Sequence, residues 1–171
     1  RTAQQELLGP HRSRLLAIRQ QIQTDDPRLW GTPAPDDSLG GELDFLALGP
    51  DKELVCIELK EGSNASGTYW GPLQACACRD DFRLGLDQIT EDLKRLVRQK
   101  VLLGLLPPEA ASRVPLKQFR LVECALAVAA PNDHSSCWER MRELVTRFPE
   151  TRVPVVQVRS HDDPGLVLKA F

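Results

Sequence analysis

The stretch from Gly41 to Lys60, GELDFLALGPDKELVCIELK, decides the fold, because it predicts two strands joined by a tight turn. Residues 42–48 alternate polar and apolar, residues 49–52 (Gly-Pro-Asp-Lys) have turn chemistry, and residues 54–60 form the return strand. Each strand also carries charge. Side chains alternate across a strand, so Glu58 and Lys60 share one face of the second strand.

A hairpin that is roughly symmetrical about Pro50 and Asp51 places Asp44 opposite Glu58 and Glu42 opposite Lys60. Two like charges directly opposite each other are destabilising unless a cation holds them together. Mg²⁺ prefers hard oxygen ligands and is typically held by one or two carboxylates. We therefore expect a site for Mg²⁺ or Mn²⁺ between the two opposed carboxylates, with an amine donor beside it.

The remaining elements predict an α/β fold with a mixed central sheet flanked by helices on both faces. A single domain spanning residues 1–171 is expected from the length. In chain order, the patterns predict a helix over 4–23, the hairpin, helices over 69–82 and 86–103, a strand over 119–129, a helix over 137–148, and strands over 153–159 and 165–171.

The composition argues against a membrane partner and against a polycationic nucleic-acid binder. The chain is 42% hydrophobic and 27% charged, its net charge is −2, and its apolar runs are too short to span a bilayer. Without a signal-like N-terminus, a cytoplasmic location is expected. The five cysteines lack a CxxC pair, which favours buried thiols. A zinc site of Cys76, Cys78, Cys137 and His134 has little support, because its spacing matches no usual zinc pattern.

The arrangement Glu42-Leu-Asp44 on one strand and Glu58-Leu-Lys60 on the next resembles the PD-(D/E)xK nuclease superfamily. That resemblance implies a restriction-endonuclease-like core (helix, strand hairpin, helix, strand) with a C-terminal strand-helix-strand-strand arrangement. It also implies metal-dependent hydrolysis of phosphodiester bonds. Asp44 and Glu58 would then be metal ligands, and Lys60 would orient or activate the attacking water.

Further positions follow from the same resemblance. Many members carry a carboxylate on the helix before the hairpin, where Glu6 fits as a third metal ligand. Many carry a glutamine on the following helix, for which Gln74 is the first candidate and Gln88 the second. Glu42 is a possible supporting residue. The family's glutamine is often followed four residues later by tyrosine, and the chain departs from this pattern with Cys78.

Alternatives to a nuclease remain open at this stage. Glu58 and Lys60 could form the solvent face of an edge strand, where charges block aggregation. A non-catalytic module of the same fold could bind nucleic acid or a protein partner in a larger defence or repair complex. The scarcity of positive charge favours this alternative, because neutralisation of phosphates normally supplies most of the affinity for nucleic acid. A small-molecule phosphohydrolase is a remoter alternative. DNA is favoured over RNA by the family alone, and a homodimer or larger complex is possible.

Overall fold

The structure, a computed structural model, describes residues 3–31, 39, 42–115, 119–132, 134–158 and 167–169, with the backbone only for residues 3–9, 88 and 167–169. The helices are α1 (Ala3–Asp25), α2 (Pro27–Trp30), α3 (Ala65–Leu102), α4 (Ala110–Arg113) and α5 (Ser136–Arg147), and a 3₁₀ turn covers Pro149–Thr151. The strands are β1 (Phe45–Leu48), β2 (Leu54–Glu61), β3 (Val122–Ala129), β4 (Val155–Val158) and β5 (Val167–Lys169).

The five strands form one mixed sheet in the order β1-β2-β3-β4-β5. The three central strands, β2, β3 and β4, are parallel to one another, whereas β1 is antiparallel to β2 and β5 is antiparallel to β4. The mixed sheet and its flanking helices therefore confirm the α/β prediction at that level. None of the helices in the described ranges is long and apolar enough to cross a membrane.

The long helix α3 lies against one face of this sheet, and α1 and α5 pack on α3. The crossovers β2–α3–β3 and β3–α5–β4 step in the same direction across the sheet, and right-handed crossovers of that kind place their helices on the same side. In agreement, α3 packs directly on β2 and β3, and both α1 and α5 pack against α3. The sequence predicts helices on both faces, so the observed arrangement differs from that expectation.

We call the opposite side of the sheet the outer face. No helix of the described chain packs on it, and its side chains are mostly apolar. Phe45 is 56% exposed, Val158 38% and Leu59 36%. The outer face comprises Phe45, Ala47, Val55, Ile57, Leu59, Glu61, Glu123, Ala125, Ala127, Ala129, Val156 and Val158.

The hairpin has the register that the sequence predicts. Phe45 lies opposite Ile57 and Leu48 opposite Leu54, and continuing the same register by one residue sets Asp44 opposite Glu58. At the turn, the Gly49 N–H donates to the Glu53 carbonyl at 3.0 Å. The paired part of β1 begins at Phe45 rather than at Glu42, so the first strand is shorter than expected.

Helix α3 is continuous over 38 residues, whereas the sequence predicts two helices separated near Gly85. A glycine inside a helix costs only about 1 kcal/mol relative to alanine, and packing readily offsets that cost. Gly85 is buried, as are Thr90 and Val97 further along the same helix. The glycine therefore allows close packing and does not end the helix.

Candidate active site

Glu58 lies on the side of β2 that faces α3, together with Leu54 and Cys56, and it is only 4% exposed. One carboxylate oxygen, Oε1, accepts a hydrogen bond from Lys60 Nζ. The other oxygen, Oε2, is buried and has no hydrogen-bond partner among the described residues. A buried carboxylate oxygen without a partner carries a large desolvation cost, so this atom calls for a missing donor or cation.

Lys60 shares the face of Glu58 because the two residues are two positions apart on the strand. Its side chain is 16% exposed, and its ion pair with Glu58 is largely shielded from water. The Lys60 ammonium group therefore lies next to a carboxylate and is not solvated at the protein surface. This corrects the edge-strand interpretation, because β2 is an inner strand of the sheet and neither side chain lies on a solvated face.

Asp44 precedes the first paired residue of β1, and its side chain replaces the missing strand hydrogen bond. Its Oδ2 accepts a hydrogen bond from the Leu59 N–H at 2.8 Å. That backbone donor would otherwise have no strand partner, because pairing between β1 and β2 begins only at Phe45. The contact holds the Asp44 carboxylate beside β2, opposite Glu58, and leaves Oδ1 available.

The two carboxylates influence each other. The pKa of Glu58 is raised above its ordinary value, chiefly because burial disfavours the charged form. The Lys60 hydrogen bond and charge act in the opposite direction, and the charge of Asp44 raises the pKa further. The hairpin thus brings Asp44, Glu58 and Lys60 together, as the sequence predicts.

Helix α3 supplies a stripe of polar side chains above the same part of the sheet. Gln74, Cys78 and Asp81 are spaced four and three residues apart, so they share one face of the helix. Burial raises the pKa of the Cys78 thiol to about 11, and the negative charges of Glu58 and Asp81 add to the rise. Cys78 therefore lies near the carboxylates and carries a protonated thiol at neutral pH, which is not a metal-ligating form.

Gln74 stands one helical turn before Cys78 on this stripe. Its Oε1 is buried without a hydrogen-bond partner among the described residues, as is Glu58 Oε2. Both orphaned oxygens are acceptors, so neither can satisfy the other. Its proximity to Glu58 is supported by the stripe it shares with Cys78, and its functional role stays a prediction.

Arg12 and Asp81 form an ion pair that the sequence analysis missed. Arg12 Nε donates to Asp81 Oδ2 at 3.1 Å, and the second contact comes from Nη2 to the same oxygen. The pair joins α1 to α3 across 69 positions of sequence, next to Cys78. No local pattern reveals such a contact, although the Gln74, Cys78 and Asp81 spacing could have identified the helix side of the site.

The remaining predicted residues are not brought to the site by any described contact. Glu42 is exposed and lies before the paired part of β1, and in the described chain no ion pair joins it to Lys60. The backbones of Glu6 and Gln88 belong to α1 and α3, but their side chains lie outside the described residues. The contribution of Glu6 as a third ligand is therefore not visible here.

The described residues offer a hard cation a set of only two carboxylates, Asp44 and Glu58. Within the described ranges, no group of three or more His, Cys, Asp or Glu side chains is placed to hold a metal ion. That finding also gives the zinc set of Cys76, Cys78, Cys137 and His134 no support. Two carboxylates suffice for Mg²⁺, which commonly keeps several waters, and the orphaned Glu58 Oε2 beside Asp44 supplies the acceptor that such an ion requires.

Comparison with known proteins adds no information about the chemistry of these residues. No protein-family model, no curated protein and no solved structure matches the chain.

Proposed function

We propose that this chain is a metal-dependent nuclease that hydrolyses phosphodiester bonds, with DNA as the expected substrate. One observation carries the proposal. Glu58 is buried with one oxygen bonded to Lys60 and the other without a partner among the described residues, and the β1–β2 register, continued by one residue, sets a second carboxylate, Asp44, opposite it. The orphaned oxygen beside a second carboxylate supports a bound cation, because a buried unpaired carboxylate oxygen is destabilising and a cation would relieve that cost.

Asp44 and Glu58 would hold Mg²⁺ or Mn²⁺ through Asp44 Oδ1 and Glu58 Oε2, because the other oxygen of each carboxylate already accepts a hydrogen bond within the described chain. When bound, such an ion lowers the pKa of its water ligand and stabilises charge that builds on a phosphate. Asp44 would be kept in place by the Leu59 N–H, so one of its oxygens positions the side chain and the other is free to bind.

Lys60 would act on the reaction and not on the metal. An ammonium group donates hydrogen bonds but cannot ligate a cation. Its contact with Glu58 Oε1 fixes Nζ next to the carboxylate pair, where it can orient a water molecule or stabilise a developing phosphate charge. Gln74, on the helix above, would bind the same water or phosphate through its amide.

Cleavage of supercoiled plasmid in the presence of Mg²⁺ or Mn²⁺ tests the proposal. The wild type should nick or linearise the plasmid, and Asp44→Asn and Glu58→Gln should lose about a hundredfold or more of the rate. Glu61→Gln is the matched control, because Glu61 is an exposed carboxylate three residues from Glu58 on the outer face of the same strand. It should cleave like the wild type, and its parallel purification controls for contaminating nucleases.

The outcome separates the nuclease from its main rival. If the wild type cleaves neither DNA nor RNA with either ion, the chain is a non-catalytic module of the same architecture. Cleavage of chromogenic phosphodiesters without cleavage of nucleic acid would instead indicate a small-molecule phosphohydrolase. Equal activity in all four proteins would show that a contaminant is responsible.

A further inference from the structure

Strand β1 forms an edge of the sheet and leaves main-chain groups open to pairing. Within the described chain its only strand partner is β2. The Gly49 N–H donates to the Glu53 carbonyl, which makes Gly49 and Glu53 a hydrogen-bonded pair. Hydrogen-bonded pairs alternate along an antiparallel ladder, so Ala47 and Phe45 also bond to β2. The N–H and C=O groups of Leu46 and Leu48 therefore point away from β2, toward the open edge.

Strand β1 is short, which limits strand addition, but it carries none of the side chains that block pairing. Edge strands of soluble proteins commonly carry charges, proline or bulges that block pairing. The sequence of β1 is Phe-Leu-Ala-Leu, and its residues are all partly or well exposed. An uncharged edge with four main-chain groups that have no partner within the described ranges is suited to an added strand.

A groove adjoins the edge on the helix side of the sheet. It has a volume of about 400 Å³ and is lined mainly by apolar side chains from β1, from the second half of α3 and from the segment before α4. These include Leu46, Leu48, Leu93, Leu96, Val97 and Leu106. Side chains of an added strand alternate between the two faces, so every second one would enter this groove.

The charges around the groove favour an acidic occupant. Lys100 and Arg113 line it, against one carboxylate, Glu109. Both cations are exposed, and neither takes part in an ion pair within the described chain. The groove is therefore apolar along its floor and carries a local excess of positive charge, although the whole chain has a net charge of −2.

We propose that the β1 edge binds an extended segment of a partner protein, apolar at alternate positions and flanked by acidic residues. The segment adds as a new edge strand by hydrogen bonding to Leu46 and Leu48. Its apolar side chains fill the groove, and its carboxylates lie near Lys100 and Arg113. This inference is independent of the proposed nuclease function, because it uses neither Glu58 nor Lys60.

A second copy of this chain is a less suitable occupant. Two β1 strands could pair about a two-fold axis at Ala47, since Leu46 would then lie opposite Leu48 of the other copy. That pairing would bring two grooves with the same excess of positive charge toward each other. It would also rest on only four residues per strand.

The test uses the nonapeptide Asp-Thr-Leu-Thr-Val-Thr-Leu-Thr-Asp with a fluorescein label, titrated with the full chain and followed by fluorescence anisotropy. In this peptide the apolar residues and both aspartates alternate with threonine, so they share the face that meets the groove. We expect saturable binding, weakened about tenfold when the peptide's two aspartates are replaced by lysines. Lys100→Glu and Arg113→Glu should weaken binding of the acidic peptide to a similar extent. Arg95→Glu is the matched control, because Arg95 is an exposed cation of α3 that pairs with Asp92 and does not line the groove.

Main-chain pairing is tested separately. Leu46→Pro removes an edge-facing N–H without removing a β1–β2 hydrogen bond, so it should fold and lose peptide binding. Amide hydrogen exchange in the wild type provides a second readout that does not depend on a variant. Leu46 and Leu48 should exchange quickly in the free protein and slowly with peptide, while Phe45 and Ala47 are protected in both states.

Several results would overturn the proposal. The first is absence of peptide binding at concentrations up to about 1 mM, well above the dissociation constant expected of a specific segment. The second is slow amide exchange at Leu46 and Leu48 in the free protein. Equal binding of the acidic and basic peptides would overturn the choice of an acidic partner. A concentration-dependent dimer that Leu46→Pro abolishes would show that the occupant is a second copy instead.

Discussion

At position 58 a carboxylate is buried where an apolar side chain would be less costly. Lys60 offsets part of that cost through one oxygen, and the other oxygen has no partner in the described chain. Replacing a buried ion pair by apolar side chains is often neutral or stabilising, so this pair is weak evidence for a purely structural role. Binding of a cation beside Asp44 is the purpose that the geometry favours.

Metal-dependent stabilisation is the first prediction at the residue scale. Saturating Mn²⁺, at about 100 times its dissociation constant, should stabilise the wild type by about 2.7 kcal/mol, or about 5–10 °C in Tm. Asp44→Asn should lose most of this shift, because the amide still accepts the Leu59 N–H but carries no charge. Glu61→Gln should behave like the wild type. Equal shifts in Asp44→Asn and the wild type, measured by circular dichroism, would rule out the site.

The second prediction concerns pH. Because the pKa of Glu58 is raised in the folded protein, its contribution to stability is fully present below the ordinary glutamate pKa of about 4.3 and is lost as pH rises through the raised value. Over that window the metal-free wild type should lose stability relative to Glu58→Gln. Mn²⁺ affinity, measured by calorimetry, should rise over the same window, because a protonated Glu58 cannot ligate. An affinity that does not change with pH would contradict the assignment.

The third prediction separates Lys60 from the metal ligands. Lys60→Ala should keep its Mn²⁺-induced stabilisation at neutral pH but lose roughly a hundredfold or more in cleavage. Lys60→Arg should also cleave poorly, because a planar guanidinium replaces a compact donor. Removing the amine also removes the interaction that lowers the Glu58 pKa, so Mn²⁺ binding should require a higher pH than in the wild type. Near-wild-type cleavage by Lys60→Ala, with Asp44→Asn inactive, would refute the lysine assignment alone.

At the scale of elements, the site depends on the close approach of α3 to the sheet. Gly71 is the point of contact, because a Cβ there would lie 2.6 and 2.8 Å from the two methyl groups of Leu126. Leu126 is fully buried and lies opposite Glu58 on the neighbouring strand. The glycine therefore sets the height of the helix above the carboxylates.

The fourth prediction follows from that contact. Gly71→Ala should destabilise the protein by about 1–3 kcal/mol, the usual cost of overpacking a core, despite the better helix propensity of alanine. Leu126→Ala alone should cost about 2–5 kcal/mol through the cavity it leaves. The destabilisation of the double variant should be clearly smaller than the sum of the two single losses, because the new methyl group occupies part of the cavity. Additive losses in urea denaturation would show that the two residues do not limit each other.

The hairpin could be predicted from sequence because its information is local. A turn of fixed length and the alternation of side chains leave one register, which places Asp44 opposite Glu58. The burial of Glu58 could not be predicted in this way, since a charged residue is ordinarily exposed and only the packing of α3 covers it. The Arg12–Asp81 pair joins residues 69 positions apart and has no local signature. The sequence predicts a break between residues 82 and 86, whereas α3 continues through this segment.

At the scale of the whole molecule, the order of the strands decides which face of the sheet the helices cover. The central strands are added in one direction along the sheet, so α3 and α5 both lie on the side of the sheet opposite the outer face. The mixed sheet follows from the alternation of strands and helices in the sequence. Which face the helices cover does not follow, because that depends on the spatial order of strands, which periodicity does not encode.

The uncovered outer face has a practical consequence for every melting experiment described above. Environment-sensitive dyes fluoresce when they bind apolar surface, and Phe45, Leu59 and Val158 present such surface in the folded protein. A dye-based melt should therefore begin bright and show a small or inverted transition. Intrinsic fluorescence avoids this difficulty, because all three tryptophans, Trp30, Trp70 and Trp138, are buried and would shift to the red only on unfolding.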